Sequence, residues 1–159
     1  MARRAGFDAV LAFPAMRVGV CAAQEAVTLI EYLPPAHPLI SPRTRLAERA
    51  ARQIERYRAD PEFAFDLPLT PSGTSFQQRV WRGMCAIALG HTLTYGELAR
   101  RLRSAPRAVG QACGANPYPL VVPCHRVVAA NGLGGFAHAR GGYLLDAKRW
   151  LLNHEGALR

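Results

Sequence analysis

Lysine is almost missing from this chain of 159 residues: of its 20 basic residues only Lys148 is a lysine. Acidic residues are few as well, 11 in all, so the formal net charge is +9. A basic excess on a small chain favours a polyanionic partner, of which nucleic acid is the commonest, although a merely solvated basic surface fits the same count. No apolar run approaches the ~18 residues that a membrane-spanning helix needs, which excludes an integral membrane protein of that kind. Cysteines are Cys21, Cys85, Cys113 and Cys124; none form C-x-x-C and none pair with histidine at zinc-finger spacing. That excludes a zinc finger and a disulfide framework. Four free thiols fit a reducing compartment, so a cytoplasmic location is expected. Arg3-Arg4 precedes an apolar stretch, but Asp8 and Pro14 interrupt it and no clean cleavage site follows, so a secretion signal is not expected.

What is present suits a packed core, since 50% of the residues are hydrophobic. The length allows one ordinary domain or two small ones. Residues 10–13, 16–22 and 26–33 alternate as β-strands do, with Gln24-Glu25 as a tight connection, which predicts antiparallel hairpins. Pro34-Pro35 and Pro38 end that sheet. Ser41-Pro42 predicts a helix start, with Ser41 as N-cap, and Leu46, Ala50, Ile54 and Tyr57 make its apolar stripe. Arg49, Arg52, Glu55, Arg56 and Arg58 lie off the stripe and read as a solvated face. An extended stretch through Pro68 and Pro71 then separates residues 1–69 from residues 70–159.

The second segment opens with two capping boxes, Thr74 with Gln77 and Thr94 with Glu97. Phe76, Val80, Met84 and Ile87 supply the first helix's apolar face, and Gly90 is expected to stop it. Leu98, Ala99 and Leu102 face inward on the second. After a turn at Ser104-Ala105-Pro106, a third helix runs from about Arg107 to Ala115, giving a helix-turn-helix pattern. That third helix is nearly bare: Ala108, Gly110, Ala112, Cys113, Gly114 and Ala115 carry almost no side chain. A bare helix packs tightly on another backbone or, with Arg107 at its N-terminal end, lies against phosphates or in a narrow groove. Asn116-Pro117 ends it.

The chain is organised around Val121-Val122-Pro123-Cys124-His125-Arg126-Val127-Val128. Its β-branched pairs predict a buried strand, broken where Pro123 cannot donate to a ladder. A thiol and an imidazole then stand side by side where regular structure ends. A thiolate is a strong nucleophile and a neighbouring histidine can take its proton, although a buried packing cysteine is the commoner fate of a cysteine. Asn131-Gly132 and Gly134-Gly135 form a loop, and a last helix with Leu144, Leu145, Lys148, Leu151 and Leu152 delivers His154-Glu155.

Pro123-Cys124-His125-Arg126-Val127-Val128 resembles the active-site signature of the O6-alkylguanine-DNA alkyltransferases, or methylated-DNA–protein-cysteine methyltransferases. Other blocks agree in order: residues 75–81 (SFQQRVW), 94–99 (TYGELA), 107–117 (RAVGQACGANP) and 148–156 (KRWLLNHEG). The resemblance implies an α/β protein. Its N-terminal part would be a ribonuclease-H-like domain with an antiparallel sheet. The C-terminal part would be a winged-helix-like domain, with a helix-turn-helix, that binds double-stranded DNA and flips the damaged nucleotide out.

It further implies that Cys124 accepts the alkyl group from guanine O6, with O4-alkylthymine as a second substrate. His125 would take the thiol proton through a water, Glu155 would orient His125, and Tyr95 would donate to the leaving guanine. Arg107 would fill the gap behind the flipped nucleotide, Ala108, Gly110, Gln111 and Gly114 would line the DNA face, and Asn116 would hold the hinge. Val127 would offer its carbonyl to the substrate pocket, beside Phe136, which stands where a tyrosine is common, and Ala137. The thioether product makes the reaction irreversible and single-turnover. No cofactor, metal or membrane is implied, and a monomer is expected.

A non-catalytic alkylguanine binder, a helix-turn-helix regulator and a cysteine hydrolase are the competing classes. The first two do not need Cys124, His125 and Glu155 together, and a hydrolase needs an oxyanion hole that the sequence does not reveal.

Overall fold

A computed structural model describes residues 6–134 and 142–158 of the chain. The chain is α/β and divides into two compact units, Met1–Thr70 and Pro71–Arg159. Among the described residues no helix is long and apolar enough to cross a membrane.

The first unit is an antiparallel sheet of β1 (Ala9–Ala12), β2 (Arg17–Ala22) and β3 (Val27–Leu33), backed by α1 (Arg45–Ala59). The register places Val10 opposite Gly19 and Val20 opposite Ile30. Isolated bridges from Ile40 to Val10 and from Leu69 to Val27 extend the sheet at both edges. Val18, Val20 and Ile30 are buried, as are Ala47, Ala50, Ala51, Ile54 and Tyr57 of α1. Burying one side chain of the size of Ile54 contributes roughly 1.5–3 kcal/mol. Gly19 is required by contact, because a Cβ there would stand 2.7 Å from Phe7 and 2.9 Å from Leu33.

Helix α1 does not begin at Ser41-Pro42. Thr44 is the N-cap, its hydroxyl accepting from the Ala47 amide at 3.1 Å. The preceding residues are tied to β1 instead: Ile40 exchanges backbone hydrogen bonds with Val10, and the Arg43 amide donates to the Asp8 carbonyl at 3.0 Å. This tether holds residues 40–43 outside the helix and overrides the Ser-Pro signal.

The second unit contains α2 (Ser75–Cys85), β4 (Leu93–Thr94), α3 (Tyr95–Leu102), α4 (Pro106–Gly114), β5 (Val127–Val128) and α5 (Tyr143–His154). Both capping boxes form as expected, at Thr74/Gln77 and Thr94/Glu97. Helix α2 stops at Cys85, before Gly90. The Ile87 amide turns back to the Met84 carbonyl at 3.1 Å, a tightened last turn that buries Ile87, while Gly90 supplies a positive φ of 83° farther on.

The expected strand over residues 121–128 is also corrected. Only Val127 and Val128 are extended, paired in parallel with Leu93 and Thr94. Cys124–Arg126 form one turn of 3-10 helix. The Val122, Cys124 and Arg126 amides donate to the Tyr118, Val122 and Pro123 carbonyls, local turn bonds that take the donors a ladder would need, and Pro123 has no amide to offer. The short β4–β5 pair joins the strand that leads into α3, which begins at Tyr95, to the strand that leaves the Cys124–Arg126 turn.

Helix α4 packs against α2 and α3. The indole Nε1 of Trp81 in α2 donates to the Ala112 carbonyl at 2.8 Å, fully inside the unit. This is one of the last carbonyls of a nine-residue helix, which intrahelical bonding leaves open. Trp81→Phe keeps most of the apolar area but strands that carbonyl, so it should cost about 1–3 kcal/mol in urea unfolding. A loss of a few tenths would show that α4 needs no such anchor.

Candidate active site

Cys124, His125 and Glu155 come together in the second unit. The 3-10 turn supplies the first two, and Glu155 caps the C-terminus of α5. His125 Nε2 lies 2.9 Å from Glu155 Oε2, and neither side chain has any exposed surface. Nδ1, the other ring nitrogen, is buried and makes no hydrogen bond to the described residues. Burial pushes the His125 pKa below its ordinary value, against the pull of Glu155. The ring is therefore neutral near pH 7, and its contact with Glu155 is a charge-assisted hydrogen bond from a neutral donor, not an ion pair.

Cys124 is 8% exposed. Burial raises its pKa, so the resting group is the thiol. Several features oppose burial and favour the thiolate: a hydrogen bond from Asn116, the charge of Lys148, and the backbone amides of Cys124 and His125. A buried thiol with these thiolate-stabilising partners still needs a base to release its proton.

Lys148 is the residue that sequence reasoning missed. The sequence places it on the last helix beside Leu144, Leu145, Leu151 and Leu152 without a role, and it is fully buried on α5. Its ammonium donates to the Val127 carbonyl at 2.7 Å and lies 5.9 Å from the Tyr95 ring centroid. Burial lowers its pKa to about 8. The available signal was that the chain's one lysine falls on an apolar face, where a charge is costly unless it has partners. Arg126 was read only as a letter of the motif. Its Nε donates to Glu155 Oε1 at 2.9 Å, its Nη2 to Oε2 at 3.2 Å, and its Nη1 to the Ile87 carbonyl at 2.7 Å.

Tyr95 is half-buried, and burial pushes its pKa up to about 12, with the nearby thiols of Cys113 and Cys124 adding to the shift. It is thus a phenol, a donor, at neutral pH. Gly134 leaves room for its ring on one side, since a Cβ there would lie 3.2 Å from Tyr95, whereas a Cβ on Gly110 would meet the ring in ordinary contact at 3.9 Å.

The Asn116 side chain spans the turn before the site, donating to the Val122 carbonyl at 2.9 Å and accepting from the Tyr118 amide at 2.9 Å. Inside that turn Leu120 holds a φ of 74°, a left-handed conformation costing roughly 1–2 kcal/mol for a non-glycine residue. The Asn116 bonds and the burial of Leu120 hold it there.

Helix α4 turns Val109, Ala112 and Cys113 inward. Arg107 and Gln111 are exposed, and Ala108, Gly110, Gly114 and Asn116 are partly so. The bare face expected from the sequence is therefore an accessible one. The N-cap, Ala105, offers no side-chain hydrogen bond to the first amides of the helix. Val127 is fully buried, and its carbonyl is already engaged by Lys148. Phe136 and Ala137 lie outside the described residues. Of the other cysteines Cys113 is buried, Cys21 is only partly so and Cys85 is exposed, so Cys85 does not share the commoner fate of a cysteine as a packing residue. Among the described residues no group of three or more His, Cys, Asp or Glu side chains could hold a metal.

The family model of the 6-O-methylguanine DNA methyltransferase DNA-binding domain matches residues 75–157. A methylated-DNA–protein-cysteine methyltransferase of Methanosarcina acetivorans is 46% identical over 111 residues, 68% of this chain and 68% of that protein. One from Salmonella typhimurium is 50% identical over 95 residues, 58% of this chain and 53% of that protein. This chain thus spans between about half and two thirds of these relatives' lengths in the matched region. The crystal structure of Mycobacterium tuberculosis OGT in complex with DNA superposes with a TM-score of 0.76 at 34% identity, covering 93% of this chain and 91% of that one. The matched region holds Cys124, His125, Glu155, Tyr95 and all of α4, and on these grounds the chain belongs to the 6-O-methylguanine DNA methyltransferase family.

Proposed function

We propose that this protein repairs DNA by moving an alkyl group from O6-alkylguanine in double-stranded DNA onto Cys124, irreversibly and once per molecule. The observation that carries the reading is the buried Cys124–His125–Glu155 constellation, with the 2.9 Å His125–Glu155 bond and a buried Nδ1 left for the thiol proton. The thiol proton passes to His125, directly or through one water. The sulfur attacks the alkyl carbon, the C–O6 bond breaks with its electron pair going to guanine, and the Tyr95 phenol protonates the leaving base. His125 returns its proton to Tyr95 by way of the site. In sum, a thiol and an O6-alkylguanine become a thioether and guanine. The same displacement at O4-alkylthymine is chemically equivalent.

The bare, exposed face of α4 supports DNA engagement, because it lets a duplex approach the helix backbone closely and offers uncapped amides to phosphate. The alkyl-bearing base must leave the stack to meet a thiol that is only 8% exposed. The first unit is read as a ribonuclease-H-like domain over residues 1–69. The second, residues 70–159, is read as winged-helix-like, with α3 and α4 as the helix-turn-helix. The protein acts as a cytoplasmic monomer without cofactor. One intact-mass measurement after incubation with O6-methylguanine duplex tests the reading: a gain of a single methyl group is expected, and an unchanged mass rejects it.

Arg107 is assigned the space vacated by the flipped nucleotide. Arg107→Ala should therefore slow repair in duplex DNA tenfold or more, an effect on the order of 1.4 kcal/mol or larger, while reaction with free O6-benzylguanine slows much less. Equal losses in the two single-turnover rates would mean that Arg107 supports the fold or the pocket instead.

A further inference from the structure

The proton inventory of the site depends on a buried charge that the proposed chemistry does not itself explain. The Glu155 side chain has no exposed surface. A carboxylate in that setting needs a cation in direct contact, or it will neutralise. Among the described residues two neighbours in hydrogen-bond contact could supply the positive charge. One is His125, by taking a proton and becoming imidazolium, which would fill Nδ1 and remove the base. The other is Arg126, whose guanidinium meets both carboxylate oxygens through Nε and Nη2 at 2.9 and 3.2 Å and is anchored from behind by Nη1 on the Ile87 carbonyl. Arginine does not deprotonate in proteins, and its planar fork matches a carboxylate.

We propose that Arg126 is the positioning residue that keeps His125 a base. It neutralises Glu155 in the fork contact, so Glu155 remains an ionised, acceptor-only group, and His125 pairs with it as a neutral ring. Nε2 then carries the hydrogen directed at Glu155 Oε2, and Nδ1 keeps its lone pair for the Cys124 proton. Arg126 touches no reacting atom and acts only through Glu155. The inference deepens the alkyl-transfer reading and rests on it for the role of Cys124, but the charge state of His125 can be read without any alkylated substrate.

Among the described residues the charged groups that act on His125 are Glu155 and Lys148 from α5 and its cap, and Arg126 from its own turn. Burial opposes protonation of the ring most, Glu155 favours it, and Arg126 and then Lys148 also oppose it. Removing the Arg126 charge alone therefore leaves Glu155 under-compensated and draws a proton onto the ring.

The test is 15N NMR of the histidine rings in the full chain, with the His125 signal assigned by its loss in His125→Gln. In the wild type at pH 7, His125 should be neutral with hydrogen on Nε2. In Arg126→Gln it should be imidazolium, with both nitrogens protonated. The alkyl-transfer rate of Arg126→Gln at pH 7 should fall at least tenfold relative to wild type, and the ratio should close as pH rises.

Arg126→Lys retains the charge and should keep the ring neutral. So should Arg126→Gln combined with Glu155→Gln, which removes both charges and serves if the single variant does not fold. A neutral His125 in folded Arg126→Gln overturns the proposal, as does an imidazolium in the Lys variant or the double variant. A rate loss that stays constant across pH overturns it too, since a structural role alone would produce that. A wild type that gains no alkyl group on Cys124 would reject the function but leave the NMR result to decide the role of Arg126.

Discussion

Cys124→Ser is expected to remain folded and to lose alkyl transfer altogether. A serine hydroxyl occupies less volume than a thiol, so the 3-10 turn can keep its shape. The nucleophile is what disappears, because an alcohol is far harder to deprotonate than a thiol with its thiolate-stabilising partners. Deleting the nucleophile of a triad can cost on the order of 10⁶-fold in rate, which here means falling below detection. Intact mass should show one added alkyl group on the wild type and none on the variant, and peptide mapping should place it on Cys124. The informative control is Cys85, which is exposed where Cys124 is buried. Non-specific alkylation would choose the accessible thiol. Label on Cys85, Cys113 or Cys21 in the wild type would reject the assignment.

The second large effect belongs to Glu155. Glu155→Gln keeps an oxygen for the His125 Nε2 hydrogen but removes the charge that supports the imidazolium formed when the thiol proton is taken. General-base assistance is worth roughly 100- to 10,000-fold, and the single-turnover rate should fall within that range. Duplex affinity should barely move, because the Glu155 side chain has no exposed surface. An unchanged rate would make the His125–Glu155 pair purely structural.

The pH dependence has a definite sign. Burial depresses the His125 pKa below about 6.5, so the base is available at neutral pH and is lost as pH falls through the depressed value. The same shift contributes to stability: the unfolded chain binds a proton there more readily than the native one. The contribution of neutral His125 is complete above the unfolded pKa and is lost as pH drops through the folded one. In Glu155→Gln the ring loses its anionic partner, and the acid limb of the rate should move to still lower pH.

Much of this protein is written locally. The β-hairpins follow from alternation and a two-residue turn, and the capping boxes at Thr74/Gln77 and Thr94/Glu97 follow from side chains three residues apart that bond each other's backbone. The bare face of α4 follows from composition, since small residues stay small whatever surrounds them. Ser41-Pro42 was a valid local signal that lost to tethering by β1, and the β-branched residues around Cys124 lost their strand because prolines and the Asn116 bonds impose a turn.

The sequence by itself determined which groups are available for chemistry: a thiol, an imidazole, a carboxylate and a phenol in a recognisable order. Only the tertiary structure decided what state those groups are in. His125 and Glu155 are 30 residues apart, and their 2.9 Å contact exists because α5 ends against the 3-10 turn. Lys148 looks like a breach in an apolar stripe until the fold sets its ammonium on the Val127 carbonyl at 2.7 Å. Arg126 looks like a motif letter until Glu155 is seen between it and His125. Charge, protonation and burial depend on distances between residues far apart in the chain and on how much water is excluded around them, and no local pattern carries that information.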